Sequence, residues 1–479
     1  MSLKQKTIKG VLWSGFAQGG KQISQFIITA ILARLLSPND FGLVGMATVF
    51  TGFVSIFSEM GISSALIQKQ DTHDRHYYSA FWLNVLVGLF LTILFILISP
   101  LIAVFYNRPE LTMILIVLSS NYIISSFAII QQAILTKEMD FKSLAARDIN
   151  AAILSGIVGI FLAYRGFGVW SIIMQSVCYT FINTVLLWEY SRWRPKLIYS
   201  KSDIKEIFSY SSDMTGFNIV NYVARNVDYL LIGKFLGAEA LGLYTLAYKL
   251  MLVPLQNISW VIGRVVFPAF SKIQHDLRKV KNAYLKMSKG ISLITFPMMF
   301  GLFAVSKEFI SVIYGPKWFS VIPLIQILCI CGLAQSVTSI SGGIRLSTGH
   351  TKLHLYIGVF NAIFVVIAIS VGLCWGLLGA VICYSGISII LAYYTNNITF
   401  PIINLKMSEY LKSMKFPFLS SIIMVIIMMA TRSVFNYGMV IMLVLQIFIG
   451  FIVYVSTLIV FGQITIKNRT IAVSDVVNP

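Results

Sequence analysis

The first long apolar stretch of the sequence carries four polar side chains at helical spacing. Their positions are Gln18, Lys21, Gln22 and Gln25. Steps of three, one and three residues place all four on one face of an α-helix. If this helix crosses a membrane, a lysine near its middle costs about 2.5 to 3.5 kcal/mol to insert and is expected to face water or a counter-ion instead of lipid. The stripe therefore predicts a wet, positively charged surface.

A second polar stripe lies 200 residues further along the chain. It consists of Asn218, Asn221, Arg225 and Asp228. Its first three members align with Gln18, Lys21 and Gln25 at a constant offset of 200 residues. Each stripe carries one basic residue among amides, so the two helices are expected to turn the same polar face toward a shared cavity.

The residue types in the two stripes indicate which ligand would bind between them. Lysine and arginine side chains bind phosphate groups, and we expect glutamine and asparagine amides to bond to sugar hydroxyls. An anionic, hydroxyl-rich ligand is therefore expected. The predicted substrate-binding residues are Lys21, Arg225, Gln18, Gln22, Gln25, Asn218, Asn221 and Lys249.

Some of these assignments have alternatives. Lys249 either lines the cavity or extends its ammonium group outward. Arg225 either faces the cavity or pairs with Asp228; in the second case Lys21 would pair with a carboxylate elsewhere, and the charges would only hold helices together. Asp228 is the candidate for coupling to a proton or a sodium ion.

The composition shows which elements position these residues. The 479-residue chain is 57% hydrophobic and only 11% charged, with a mean hydropathy of +0.82. A soluble domain carries about 25% charged residues, so soluble enzymes are excluded as a class. Stretches of about 20 apolar residues cross a bilayer. We predict an all-α integral membrane protein of about 14 transmembrane helices, with the seventh at 206–233 and the eighth at 240–263.

The basic residues are distributed unequally between the two sides of this predicted topology. Of the 37 Lys and Arg residues, 27 fall on the side of the N-terminus, 7 on the opposite side and 3 inside spans. Basic loops stay in the cytoplasm, so both termini are predicted to be cytoplasmic. The net charge of +19 is thereby explained without nucleic acid, through topology and contact with membrane lipids.

An internal repeat divides the chain. Residues 31–50 match residues 231–250, and Gly42 aligns with Gly242. Because six predicted spans separate the copies, the two halves are expected to enter the membrane in the same direction. This predicts two parallel-repeat six-helix lobes plus two extra C-terminal helices. The predicted bounds are 1–200 for the N-lobe, 201–405 for the C-lobe, and 406–479 for the last two helices with a cytoplasmic tail.

Enzyme signatures are missing from the sequence. It contains no glycine-rich phosphate loop, nucleophile elbow or paired carboxylates in a sizeable loop. We therefore predict no catalytic residues, no metal site and no cofactor. A membrane enzyme such as a glycan polymerase is disfavoured because the predicted external loops are short. Energy would come from an ion gradient, from the gradient of the ligand or from a partner.

Three stretches carry a family resemblance that extends over the chain. They are LARLLSPNDFGLVGMATVF (32–50), FSEMGISSALIQ (57–68) and NVDYLLIGKFLGAEALGLYTLAYKL (226–250). The chain resembles the polysaccharide flippases of the multidrug/oligosaccharidyl-lipid/polysaccharide exporter superfamily, especially the O-antigen and colanic-acid exporter branch.

The resemblance implies a function for the predicted cavity. A flippase of this kind moves a lipid-linked oligosaccharide, typically on undecaprenyl pyrophosphate, across a bacterial inner membrane, with two lobes alternating access around a cationic cavity. It implies a cavity-lining role for Lys21 and Arg225 and, as partners, other polysaccharide-assembly proteins. The alternative is an ion-coupled multidrug or small-solute antiporter of the same superfamily. A cationic drug calls for an acidic cavity, which the basic stripes do not offer.

Overall fold

The computed structural model describes most of the chain. The described residues are 3–59, 63, 66–67, 73–200, 212–259, 266, 269–435, 437–467 and 470–473. Within helices, the side chains of Asn218 and Asn221 lie outside this description. The chain divides into two compact units, residues Met1–Gly242 and Leu243–Pro479. The predicted lobe bounds at residues 200 and 405 stay a prediction.

The first unit is built from long helices. They are α1 (Leu3–Leu35), α2 (Pro38–Glu59), α3 (Asp74–Tyr106), α4 (Glu110–Ser126), α5 (Ile129–Lys137), α6 (Phe141–Tyr164), α7 (Trp170–Ser191) and the first part of α8 (Ser212–Pro254). Polar side chains cap the N-termini of some of these helices. Asp140, for example, accepts a hydrogen bond from the backbone N–H of Ser143 at 3.1 Å and so stabilises the first turn of α6.

Helix α8 contains a sharp break. Gly237 has φ 84° and ψ −177°, a conformation that side-chain-bearing residues rarely adopt. A Cβ added at Gly233 would lie 3.1 Å from a methyl carbon of Leu241, eight residues later. Residues eight apart in a straight helix are about 12 Å apart along the axis, so the chain turns back on itself at Gly237.

The second unit is also helical. After the end of α8 it contains α9 (Leu277–Phe309), α10 (Val321–Thr338), α11 (Ser341–Ser347), α12 (Thr351–Gly372), α13 (Gly376–Thr399), α14 (Met407–Val434) and α15 (Met439–Val460). An antiparallel hairpin of β1 (Ile464–Lys467) and β2 (Thr470–Val473) follows. The prediction of an all-α membrane fold is confirmed, with this short hairpin as the addition.

Polar contacts of helix α9 hold part of the second unit together. Asp276 caps α9, and hydrogen bonding to the backbone N–H of Lys279 lowers the pKa of the Asp276 carboxyl group. Glu308 near the end of α9 pairs with Arg432 of α14 at 3.1 Å, and the Tyr454 hydroxyl of α15 donates to the Leu293 carbonyl of α9 at 2.8 Å. The last two long helices therefore pack directly on α9.

The number of membrane spans is not fixed by these helices. Within the described residues, ten helical stretches are long and apolar enough to cross a membrane, or eleven if the bent pair of α4 and α5 is one span. Helix α1 is not among the ten, since lysine and glutamines interrupt its apolar run. The stretch 351–403 counts once although it contains both α12 and α13. The total of 14 stays a prediction.

Two glycines bring α2 and α8 into backbone contact inside the first unit. A Cβ added at Gly42 would lie 1.6 Å from the carbonyl oxygen of Ala238, and one added at Gly242 would lie 1.8 Å from that of Pro38. Gly42 and Gly242, like Pro38 and Ala238, occupy equivalent positions in the two repeats. The contact is therefore reciprocal, because each glycine lies against a backbone carbonyl group of the other repeat. Close approach of this kind requires glycine.

A tyrosine continues the contact along α2. The hydroxyl of Tyr222 on α8 donates to the carbonyl oxygens of Val49 at 2.9 Å and Thr48 at 3.2 Å. A Cβ added at Gly52 would lie 2.2 Å from that hydroxyl oxygen, so this glycine makes room for the tyrosine. Helices α2 and α8 are thus in contact at Gly42 and again near Gly52.

Candidate functional site

Helix α1 is held on one side by α6. A Cβ added at Gly20 would lie 3.0 Å from a methyl carbon of Ile149, and one added at Gly156 would lie 2.2 Å from a methyl carbon of Ile28. Ile28 is 7% exposed. Small residues on both helices therefore let them approach closely and fix the rotation of α1 about its axis.

This rotation leaves α1 with two different exposed sides. Gln18 and Gln25 are exposed, and Lys21 and Gln22 are half-buried beside them. Ile23 and Ile27 are 64% and 51% exposed. At 100° per residue, these isoleucines lie about 140° to 180° around the helix from Gln18. One exposed side is polar and the other apolar, as expected of a helix between a water-filled space and lipid.

The ammonium group of Lys21 faces an aromatic ring. Its Nζ lies 5.5 Å from the ring centroid of Tyr179 on α7. Among the residues that the structure describes, no carboxylate pairs with Lys21. A cation over a ring gains about 0.5 to 2 kcal/mol and keeps its remaining N–H donors available. Lys21 is therefore held in place without being neutralised.

A hydrogen bond between two helices lies one helical turn from this tyrosine. Ser176, one turn before Tyr179 on α7, accepts a hydrogen bond from the Asn121 amide of α4 at 3.4 Å. Ser176 is exposed, and Asn121 and Tyr179 are half-buried. These three residues are not among the predicted site residues, because they form no polar stripe of their own along a helix. A signal was nevertheless present in Ser176 and Tyr179, which share one helix face at a spacing of three residues.

The structure describes the side chains of only some of the remaining predicted site residues. On α8, Arg225 is exposed and Asp228 is buried. The side chains of Asn218 and Asn221 lie outside the described residues. Lys249 is exposed and lies in the second unit. The roles of all the predicted site residues stay predictions.

Within the described part of the chain, no group of three or more His, Cys, Asp or Glu side chains is arranged to hold a metal ion. The candidate site therefore consists of one lysine, an aromatic ring, amides and a hydroxyl. Such groups can bind an anion and hydroxyl-bearing molecules.

The sequence is similar to proteins of cell-surface polysaccharide synthesis. A family model described as polysaccharide biosynthesis protein matches residues 31–323. The chain is 28% identical over 437 residues to the teichuronic acid biosynthesis protein TuaB of Bacillus subtilis strain 168, covering 89% of each chain. It is 28% identical over 432 residues to the lipopolysaccharide biosynthesis protein WzxC of Escherichia coli strain K12, covering 88% of this chain and 87% of that one.

The fold has a solved counterpart. The structure of the lipid II flippase MurJ in an inward closed conformation matches with a TM-score of 0.76 over 95% of this chain and 99% of that one. The sequence identity is 18%, so the likeness concerns the fold. The chain therefore shares the fold of that flippase.

Proposed function

Because the chain belongs to the polysaccharide biosynthesis protein family, whose model matches residues 31–323, we propose that it is a flippase for lipid-linked oligosaccharides. Its substrate is an oligosaccharide on a polyprenyl pyrophosphate, which it moves across the bacterial inner membrane for the synthesis of a surface polysaccharide. Transport proceeds by alternating access between two lobes.

One observation carries this proposal beyond the family. Lys21 lies on the exposed polar side of α1, held 5.5 Å from the ring of Tyr179 with no described carboxylate as a partner. An un-neutralised cation in a membrane helix needs an anionic ligand or water. The pyrophosphate supplies the anion, the neighbouring amides and hydroxyls bind the sugars, and the prenyl chain stays in lipid.

Membrane placement and energy supply are further parts of the proposal. The excess of basic residues on one side supports a cytoplasmic location of both termini and entry of the substrate from the cytoplasmic leaflet. Asp228, buried on α8, is the residue for coupling to a proton or sodium ion. Other polysaccharide-assembly proteins deliver the substrate and remove it.

The alternative is a multidrug or small-solute antiporter. It has less support, because the relatives TuaB and WzxC are named for polysaccharide biosynthesis and the side chain at the centre of the described site is basic. Cationic drugs would be repelled by Lys21.

The test is a translocation assay in proteoliposomes. Purified protein is reconstituted with a polyprenyl-pyrophosphate oligosaccharide, and a lectin outside the vesicles detects sugars that have crossed. Lys21→Ala and Arg225→Ala should each lower the rate at least tenfold. Lys317→Ala, which removes an exposed lysine outside the predicted site, is the matched control and should leave the rate unchanged.

The same preparations distinguish the two functions. Normal glycan translocation by both variants would remove the assignment of the site. Export of cationic dyes by the wild-type protein without any glycan translocation would favour the antiporter instead.

A further inference from the structure

The segment that follows α7 is rich in basic and aromatic residues. Its sequence from 192 to 199 is RWRPKLIY. From its contacts and exposure we propose that this segment is a docking surface for anionic phospholipid in the leaflet on its side of the membrane. The surface is defined by Arg192, Arg194, Lys196, Leu197, Ile198 and Tyr199, and is called the 192–199 surface below.

Side chains at the start of α3 hold this segment in place. The indole N–H of Trp82 donates to the carbonyl oxygen of Lys196 at 2.9 Å. The backbone N–H of Ser200 donates to the buried hydroxyl of Ser79 at 3.0 Å. The ring of Tyr78 stacks on that of Trp193 at 5.6 Å. These contacts, more than 100 residues apart in the chain, make the segment an ordered part of the first unit.

The end of α7 holds it from the other side. The guanidinium group of Arg194 donates to the carbonyl oxygens of Trp188 at 2.8 Å and Trp193 at 2.9 Å. It also lies 5.2 Å from the ring of Trp188. Helices α3 and α7 are both candidate membrane spans, so the segment lies where two spans meet the membrane surface. Aromatic residues are typical of that level.

Three consecutive apolar side chains of the segment are left uncovered. Leu197 is 88% exposed, Ile198 is 40% exposed and Tyr199 is 52% exposed. A continuous apolar group at the surface of an ordered segment is unfavourable in water. At the end of membrane spans, the adjacent apolar phase is the boundary between headgroups and acyl chains. Lipid is therefore the occupant that covers these side chains.

The charges select the kind of lipid. Arg192, Arg194 and Lys196 are all exposed and alternate with Trp193 and Pro195 immediately before the apolar residues. No acidic residue occurs between 190 and 200. Basic residues near the surface attract anionic headgroups. An acidic protein partner would fit the charges but would leave Leu197 without an apolar cover, so phosphatidylglycerol or a similar lipid fits better.

The position of the surface is tested with a local fluorescent label. Dansylalanine replaces Leu197 in the full-length protein in nanodiscs, and in a second sample it replaces Lys279, whose side chain in the first turn of α9 is 72% exposed. Lipids with a nitroxide near the headgroup should quench the label at 197 at least twofold more than aqueous iodide does. The label at 279 should show the reverse. Equal access of iodide to both labels would overturn the proposal.

The lipid preference is tested with the same label. Phosphatidylglycerol is titrated into phosphatidylcholine nanodiscs, and the dansyl emission at 197 reports binding. Arg192→Gln with Lys196→Gln leaves Arg194 and its hydrogen bonds intact. Each lost charge should weaken binding about fivefold, equivalent to about 1 kcal/mol, so the midpoint should shift about twenty-five-fold or the binding should fail to saturate.

The control removes the same charge elsewhere. Arg165→Gln with Lys317→Gln neutralises two exposed basic residues of the opposite predicted side, and it should leave the midpoint unchanged. An equal shift in both double variants would mean that only overall charge matters, and the 192–199 surface would not be a lipid site. A label that reports no response to phosphatidylglycerol in the wild type would contradict the proposal too.

Discussion

Two faces of the first unit are built in opposite ways. Between α2 and α8, Gly42 and Gly242 press against backbone carbonyl groups, and the Tyr222 hydroxyl bonds to α2. Along the polar side of α1, Gln18 and Gln25 are exposed, and a Cβ added at Gly19 meets nothing within 4 Å. The first face is closed to every other molecule, whereas the second is open.

The difference separates folding from function. A closed face of glycines and main-chain atoms has no chemistry to offer a ligand, and its role is to hold helices at a fixed distance. An open face with a cation, amides and hydroxyls costs stability in a membrane and is retained for binding. Substitutions on the two faces should therefore change different measurable quantities.

The largest effect is expected at Gly42. In Gly42→Ala the new Cβ would lie 1.6 Å from the Ala238 carbonyl oxygen, so backbone must move. The free energy of unfolding should fall by about 3 kcal/mol. Denaturant titration of the purified protein in detergent measures this. An unchanged midpoint would show that α2 and α8 are not in contact at this glycine.

The next effect is expected on transport. Tyr179→Leu removes the ring that holds Lys21, and the rate of glycan translocation should fall about fivefold to tenfold, as expected for a cation–π contact of about 1 kcal/mol. Tyr179→Phe keeps the ring and should keep most of the rate. Unfolding should be nearly unaffected in both. If the two variants lose transport equally, the ring does not act through Lys21.

A smaller effect tests the tyrosine of the closed face. Tyr222→Phe loses the hydrogen bonds to the Val49 and Thr48 carbonyl groups but keeps the ring. The free energy of unfolding should fall by about 1 kcal/mol. Transport per folded molecule is expected to fall less than in Tyr179→Leu. A larger loss of transport in Tyr222→Phe than in Tyr179→Leu would show that Tyr222 belongs to the open face of α1 and its neighbours.

The smallest effect is expected at Gly19 and has the opposite sign. In Gly19→Ala the added methyl group meets no atom within 4 Å, and alanine favours a helix over glycine by up to about 1 kcal/mol. Stability should therefore rise slightly. Measured beside Gly42→Ala, the pair shows directly which glycine is required by a contact and which is not.

Much of the open face could be predicted from the sequence. The spacing of Gln18, Lys21 and Gln25 fixes their common side of α1, because helix periodicity is a local property. The partner of Lys21 was not predictable in the same way. Tyr179 is 158 residues away in the chain. Its position depends on how α1, α6 and α7 pack, and this depends on small residues such as Gly20 and Gly156.

The closed face shows the same limit. The repeat aligned Gly42 with Gly242, and this correspondence is visible in the sequence. The sequence does not show that each glycine lies against a carbonyl group of the other repeat. A glycine has no side chain whose type would indicate its neighbour. The connection between the two spans was visible, however, because the sequence predicts it at 234–239 and the chain turns back at Gly237, within that interval.

The break at Gly237 has a consequence for how the chain is made. A straight helix from Ser212 to Pro254 would be about 65 Å long, roughly twice the hydrocarbon thickness of a bilayer. During synthesis, the insertion machinery would then receive one long helix instead of two helices that run in opposite directions. The turn at Gly237 divides this stretch into two shorter segments that run in opposite directions, so each can enter the bilayer separately.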